Sequence, residues 1–189
     1  MKTKLLLLSL LVSLAVSAQW HDSMYEQYTH ENYTNYPGFN EPVVAGSVDI
    51  SLLEAAVFYE SNRQRALHGL PLFKFDHALN MCARGHSDDM VKHNFFSHTS
   101  VVSGKERMST RLELVGYINC WAAENIASCE VKKSYAETGR YLVEEMWMNS
   151  DGHRKNILNP KYTHLGAGIC VYKDRYWLML KATQNFVCK

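Results

Sequence analysis

The chain has 189 residues, with 20 Lys and Arg against 19 Asp and Glu and a formal net charge of +1 at pH 7. That balance leaves no electrostatic footprint for nucleic acid or anionic lipid. Length and a hydrophobic content of 47% fit one domain with a real core.

The first residues read as a secretory signal. Lys2 and Lys4 precede an apolar run over residues 5–16, and Val16-Ser17-Ala18 supplies the small residues that signal peptidase cuts after. The run is shorter than the roughly 20 residues that span a bilayer. An uncleaved anchor is the alternative. No cysteine follows the cut, so a lipid anchor is not expected, and no later segment is apolar enough to cross a membrane. The mature chain is expected to start at Gln19, outside the cytosol: secreted, extracellular or periplasmic.

Residues 19–47 are tyrosine-rich, with Tyr25, Tyr28, Tyr33 and Tyr36 in polar surroundings before Pro37-Gly38 and Pro42. They predict an extended N-terminal arm that lies on the domain or moves freely. Asn32-Tyr33-Thr34 is a glycosylation sequon, meaningful only in a eukaryotic source.

The folded domain is expected over residues 48–189. Ser51-x-x-Glu54 reads as a capping box opening a helix that Gly69-Leu70-Pro71 stops. Asp76 caps a second helix with Leu79, Cys82, His86 and Met90 on one face. Residues 93–104 read as a polar, aromatic loop, residues 105–115 as a third helix ended by Gly116, and residues 121–127 as a short extended piece. Ser134 caps a fourth helix to about Met148. Beyond Asn159-Pro160 the pattern changes to two β-rich runs, residues 165–172 and 176–187, turning at Lys173-Asp174-Arg175. This order predicts an α+β fold, an α–β–α sandwich around a small central antiparallel sheet.

Five cysteines in an exported chain predict two disulfides and one free thiol. Cys120 with Cys129 and Cys170 with Cys188 are the expected pairs, leaving Cys82 as a buried thiol.

Several motifs, in order, carry a resemblance. They are Asn62-x-x-Arg65 with His68-Gly69-Leu70-Pro71-Leu72, His86-Ser87-x-Asp89-Met90, Asn94-Phe95-Phe96-Ser97-His98-Thr99 and Glu124-Asn125-Ile126-Ala127. Trp147-Met148-Asn149-Ser150-Asp151-Gly152-His153-Arg154-x-Asn156-Ile157-Leu158 follows, then Gly166-x-Gly168. Together, over about residues 50–187, they resemble the CAP superfamily (SCP domain) of cysteine-rich secretory, antigen 5 and pathogenesis-related proteins, in its bacterial-type phrasing. The resemblance implies secretion, an α–β–α sandwich and a central cleft with two histidines and two acids. By position the histidines are His98 and His153 and the first acid is Glu124. The second acid of many eukaryotic members falls on Ser150, with Asp151 next to it, so the tetrad is incomplete by identity.

Without the resemblance, His98, Glu124 and His153 offer two imidazoles and a carboxylate, a donor set suited to an open zinc site. The same trio suits proton transfer. It equally suits a satisfied structural network with no reaction. His86, on an apolar helix face, reads as a hydrogen-bonded core residue. Ser97 and Ser150 lack a nucleophile-elbow context.

The function expected is a non-enzymatic binding module for a lipid or sterol, a glycan, a cell-wall component or a protein partner, since a fold does not transfer an activity. The alternative is a metal- or histidine-dependent extracellular hydrolase. A weaker one makes the tyrosine-rich arm a contact surface.

Overall fold

The computed structural model describes residues 19–189. The leader expected over residues 1–18 lies outside the described residues.

Helix α1 (Ile50–Leu67) starts where the Asp49 side chain accepts the backbone N–H of Leu52 at 3.1 Å. Asp49, not Ser51, is therefore the cap, and Glu54 turns inward. Almost every residue from 52 to 65 is buried, so α1 is enclosed on all sides and shows no clean polar stripe. Helix α2 (His77–Lys92) begins at the expected cap, with Asp76 accepting from Leu79 N–H at 2.9 Å. Helix α3 is only Met108–Glu113. It falls short of 105–115 because the carbonyls of Lys105 and Glu106 turn toward the Arg111 guanidinium. Ser134 caps α4 (Tyr135–Arg140), which continues as a π-helical segment, Tyr141–Trp147. A short helix α5 (Asp151–Ile157) follows, which the sequence pattern did not reveal.

Four strands form one sheet in the order β1-β3-β4-β2: β1 (Lys74–Phe75), β2 (Ala122–Glu130), β3 (His164–Asp174) and β4 (Trp177–Val187). The β3–β4 hairpin and the β2–β4 pair are antiparallel, while the two-residue edge β1 runs parallel to β3. Side chains alternate across a strand, so β3 presents different faces to two helical layers. Leu165, Ala167 and Ile169 join the core that contains α1, α4 and α5 residues. Gly166 and Gly168 lie against the backbone of α2 on the other face. The result is the expected α–β–α sandwich, with β2 at an open sheet edge.

The arm is not extended. It forms three 3-10 turns (Asp22–Glu26, Tyr33–Asn35, Pro37–Asn40), and Trp20, Met24, Tyr33 and Phe39 are buried in the same core as α1. Trp20 meets Phe39 edge-on at 5.0 Å, and the Tyr33 hydroxyl donates to the buried Glu60 carboxylate at 2.6 Å. Aromatic burial of this size outweighs the polar surroundings that suggested a mobile arm.

The expected cysteine pairs are corrected by the sheet. All five cysteines are thiols. Cys120 precedes β2 and Cys129 lies near its far end, roughly 30 Å away at about 3.3 Å per residue. Cys170 is opposite Lys181, seven residues before Cys188 along β4 and beyond, roughly 23 Å by the same rise. A disulfide tolerates about 7 Å between Cα atoms. Cys82 is buried on α2 as expected, its thiol pushed up to about 11 by burial.

Candidate functional site

The site forms where the open edge of β2 meets loop 93–104, α3 and α5. Glu124 is the third residue of β2, on the face that looks toward α2 and α3. Loop 93–104 is tied down from beneath. Lys181 Nζ donates to the carbonyls of Met90 and Phe95, both at 2.8 Å, and His86 Nε2 donates to Ser97 O at 3.0 Å. These anchors fix His98 over Glu124.

His98 Nδ1 donates to Glu124 Oε1 at 2.9 Å, and an Arg111 terminal nitrogen donates to Oε2 at 2.7 Å. Arg111 also reaches the His98 carbonyl at 3.2 Å. Glu124 and Arg111 side chains are each only 3% exposed, whereas that of His98 is 56% exposed. His86 stands behind, its Nε2 3.9 Å from Glu124 Oε1.

His153 enters from the opposite layer, on α5. Its carbonyl accepts from Asn125 Nδ2 at 3.2 Å, and Asn125 Oδ1 accepts from Asn156 at 2.8 Å. Asn125 also donates to Gln184 at 3.0 Å, which donates to Ser61 at 2.7 Å. This amide chain pins α5 to the sheet. The His153 ring is half-buried, and its Nδ1 is buried with no protein partner.

Ser150 and Asp151 do not join the trio. Asp151 pairs with Arg154 at 2.5 Å on the surface, and Ser150 sits at the start of α5 with its N–H on Trp147 O. Among the described residues no recorded hydrogen bond links either one to His98, Glu124 or His153.

Burial alone would raise the Glu124 carboxyl, but the His98 hydrogen bond and the charge of Arg111 outweigh it and hold it below its ordinary value. Burial lowers the imidazoles of His86 and His153, in His153 aided by the proximity of His98. For a depressed histidine, the unfolded chain takes up protons first as pH falls. Stability is therefore expected to decline once pH drops below about 6.5, the ordinary imidazole value. A second decline follows below about 4.3, as Glu124 loses the charge that its partners favour. Denaturant melts from pH 8 to pH 3 check both steps; a flat profile between pH 7 and pH 5 would contradict the first.

The donor set is not assembled as a three-ligand zinc site. Among the described residues, no group of three or more His, Cys, Asp or Glu side chains is placed to hold a metal ion. Both Glu124 oxygens are already engaged, one by a buried cation. A metal would have to displace Arg111 or share the carboxylate with it, and like charges in a buried site repel strongly. As arranged, Glu124 supports the His98 ring and does not supply a third zinc ligand beside His98 and His153.

What the arrangement does provide is an open cavity of about 340 Å³ bounded by His98, Thr99, Arg107, Met108 and Glu124. His98 and Glu124 are brought into direct contact, with Arg111 and Arg107 beside them, while His153 comes near His98 without a recorded bond to either. Neither arginine has a local signal: each lies on or beside a short helix.

The sequence profile of the cysteine-rich secretory protein family (CAP) matches residues 58–189. An uncharacterized protein of Bacillus subtilis (strain 168), YkwD, is 36% identical over 143 residues, 74% of this chain and 49% of its own length. An uncharacterized membrane protein of the same organism, YlbC, is 40% identical over 128 residues, 67% of this chain and 32% of its own. The chain thus spans a third to a half of these relatives. A crystal structure of an extracellular protein containing an SCP domain from Bacillus anthracis superposes with a TM-score of 0.57 at 35% identity, over 72% of this chain and 40% of that one. An outer surface protein of Borrelia burgdorferi, at 15% identity and a TM-score of 0.60, covers 75% of this chain and 96% of its own, and shares the fold.

Proposed function

The chain belongs to the cysteine-rich secretory protein (CAP) family, and from that premise we propose that it is an exported binding module for a polar cell-wall component. The observation that carries this reading is the closed state of Glu124. With one oxygen held by His98, the other by Arg111, and its carboxyl held below its ordinary value, Glu124 is poorly suited to take up a proton as a base. The open cavity is lined by His98, Thr99 and Arg107, with Met108 and the engaged carboxylate of Glu124. Such a surface recognises hydroxyl, amide or anionic groups.

A lipid or sterol fits less well. The apolar groove between α2 and α3, walled by Met81, Leu114 and Val115, has a volume of about 170 Å³. Small-molecule sites usually need about 300–1,000 Å³. Export is supported by the basic and apolar leader with its small-residue cut site, and by the relative described as an extracellular protein.

Co-sedimentation with isolated cell walls of the producing organism tests the proposal. The chain is expected to pellet with the walls. His98→Ala and Arg107→Ala are expected to weaken retention about tenfold, one to two lost polar contacts; the melting temperature is expected to hold in Arg107→Ala and to fall in His98→Ala, which removes one bond to Glu124. Retention unaffected by both variants would sink the idea. Release of soluble wall fragments by the chain would replace it with hydrolysis.

A further inference from the structure

We propose that the N-terminal arm closes a second binding site, for a neutral saccharide, along its contact with α1, α2 and β1. This goes beyond the His98 cleft and uses none of its residues. The arm also precedes the residues matched by the family profile.

Two cavities flank the arm. One, of about 570 Å³, lies between the arm, α1 and β1; the other, of about 470 Å³, lies between the arm, α1 and the start of α2. They meet at Asp22 and Tyr25, which line both. Each is within the size range of a small-molecule site, and both exceed the His98 cavity of about 340 Å³.

Three features select the ligand. The first cavity has aromatic walls, Tyr28, Phe58, Tyr59 and Phe73 among them. Flat rings suit the C–H faces of a sugar. The second feature is unmet hydrogen-bonding capacity. Asn80 lines the second cavity at 6% exposure, and its Oδ1 has no partner, while its Nδ2 is held by Glu54 at 3.0 Å. His30 lines the first cavity, and its Nδ1 is likewise buried without a partner. Buried polar atoms are normally bonded, so one orphan in each of two adjoining cavities points to a ligand that supplies hydroxyl groups.

The third feature is charge. Glu54 is paired with Arg84, Asp22 with His77 at 2.5 Å and Asp76 with Lys189 at 2.5 Å. These three carboxylates are already matched, and the remaining charged groups of the first cavity, Glu26 and Lys74, are of opposite sign, so a neutral ligand is favoured. These pairs also interrupt the apolar walls, which disfavours an acyl chain. A peptide strand gains little, because β1 has only two residues to pair with.

The test is a glycan array of neutral and acidic oligosaccharides probed with the purified chain. At least one neutral glycan is expected to be retained, and to be held about tenfold more weakly by Tyr28→Ala, as for one lost aromatic contact. Tyr28 also packs on Trp20, so that variant is read beside a thermal melt. His30→Ala, whose ring makes no recorded protein bond, gives the same loss without that risk. Retention in His98→Ala is expected to match the unmodified chain. Retention of acidic glycans alone, no retention, or binding indifferent to both arm variants overturns the proposal. Loss with His98→Ala alone also overturns it, and places the sugar in the other cleft. Failure of wall co-sedimentation with array binding intact would reject the cleft reading and leave this one standing.

Discussion

Replacing Arg111 with methionine is expected to destabilise the chain by about 3–5 kcal/mol, the usual cost of removing one partner from a buried ion pair. The guanidinium is the only cation bonded to Glu124 among the described residues, and both groups are shielded from water. Its loss leaves a buried carboxylate with one hydrogen bond, from His98. It also frees the carbonyls of Lys105, Glu106 and His98, which Arg111 now ties together. Loop 93–104 and the start of α3 should loosen with it. Urea denaturation of the variant measures the cost. A Glu124→Gln change added to Arg111→Met should recover part of it, because a neutral amide in the same place carries no unpaired charge. The penalty should also shrink toward pH 4, where Glu124 can take a proton. A loss below about 1 kcal/mol would mean the pair is solvated and not a structural lock.

A comparable loss is expected from a single methyl group. Gly168→Ala would place its Cβ 1.9 Å from Arg84 N and 2.1 Å from Ala83 C. Gly166→Ala would meet Asn80 N at 2.2 Å. These are main-chain atoms of α2 and cannot rotate away. Either the helix lifts off the sheet or β3 bends. Lifting α2 also breaks the Ser87 hydroxyl bonds to Gly168 O and Thr183, both 2.9 Å, and moves His86 from beneath the loop. We expect at least about 3 kcal/mol, the upper end of overpacking costs, because relaxation is blocked. Gly85→Ala is the control. It lies mid-helix on α2 with no atom within 4 Å of where its methyl group would sit, and should be neutral or gain up to about 1 kcal/mol from helix propensity. Melting temperatures of the three variants, measured side by side, decide the point. A mild effect at Gly168 would show that α2 can move freely on β3.

Much of this architecture could be read from local chemistry. The Asp76 and Ser134 caps, the β3–β4 hairpin and the burial of Cys82 follow from short-range patterns of residue type. Gly166-x-Gly168 entered only as a motif of the resemblance, and its close contact with α2 belongs to the fold. What failed depended on tertiary contacts. Arg111 sits on a helix cut short by its own hydrogen bonds, which no periodicity encodes. The fourth helix was expected to end near Met148 with nothing helical after it, but α5 begins at Asp151, held by the Asn125–Asn156 amide bond. The arm looked polar because its aromatics are scattered, and only α1 supplies the surface that buries them. Cys120 with Cys129 was expected from nearness in sequence and Cys170 with Cys188 from a shared terminal sheet, and the extended strands hold the members of each pair apart. In the cleft, His98, Glu124 and His153 were named before their geometry was known. That Glu124 is locked and Asp151 points to Arg154 could not be.

That lock is the centre of the account, and calorimetric titration of zinc into the purified chain tests it most directly. With Glu124 held by His98 and Arg111, no saturable heat is expected at micromolar zinc. Saturable micromolar binding, abolished by both His98→Ala and His153→Ala, would show that the carboxylate opens to a metal and would contradict the reading of the cleft as a metal-free binding surface.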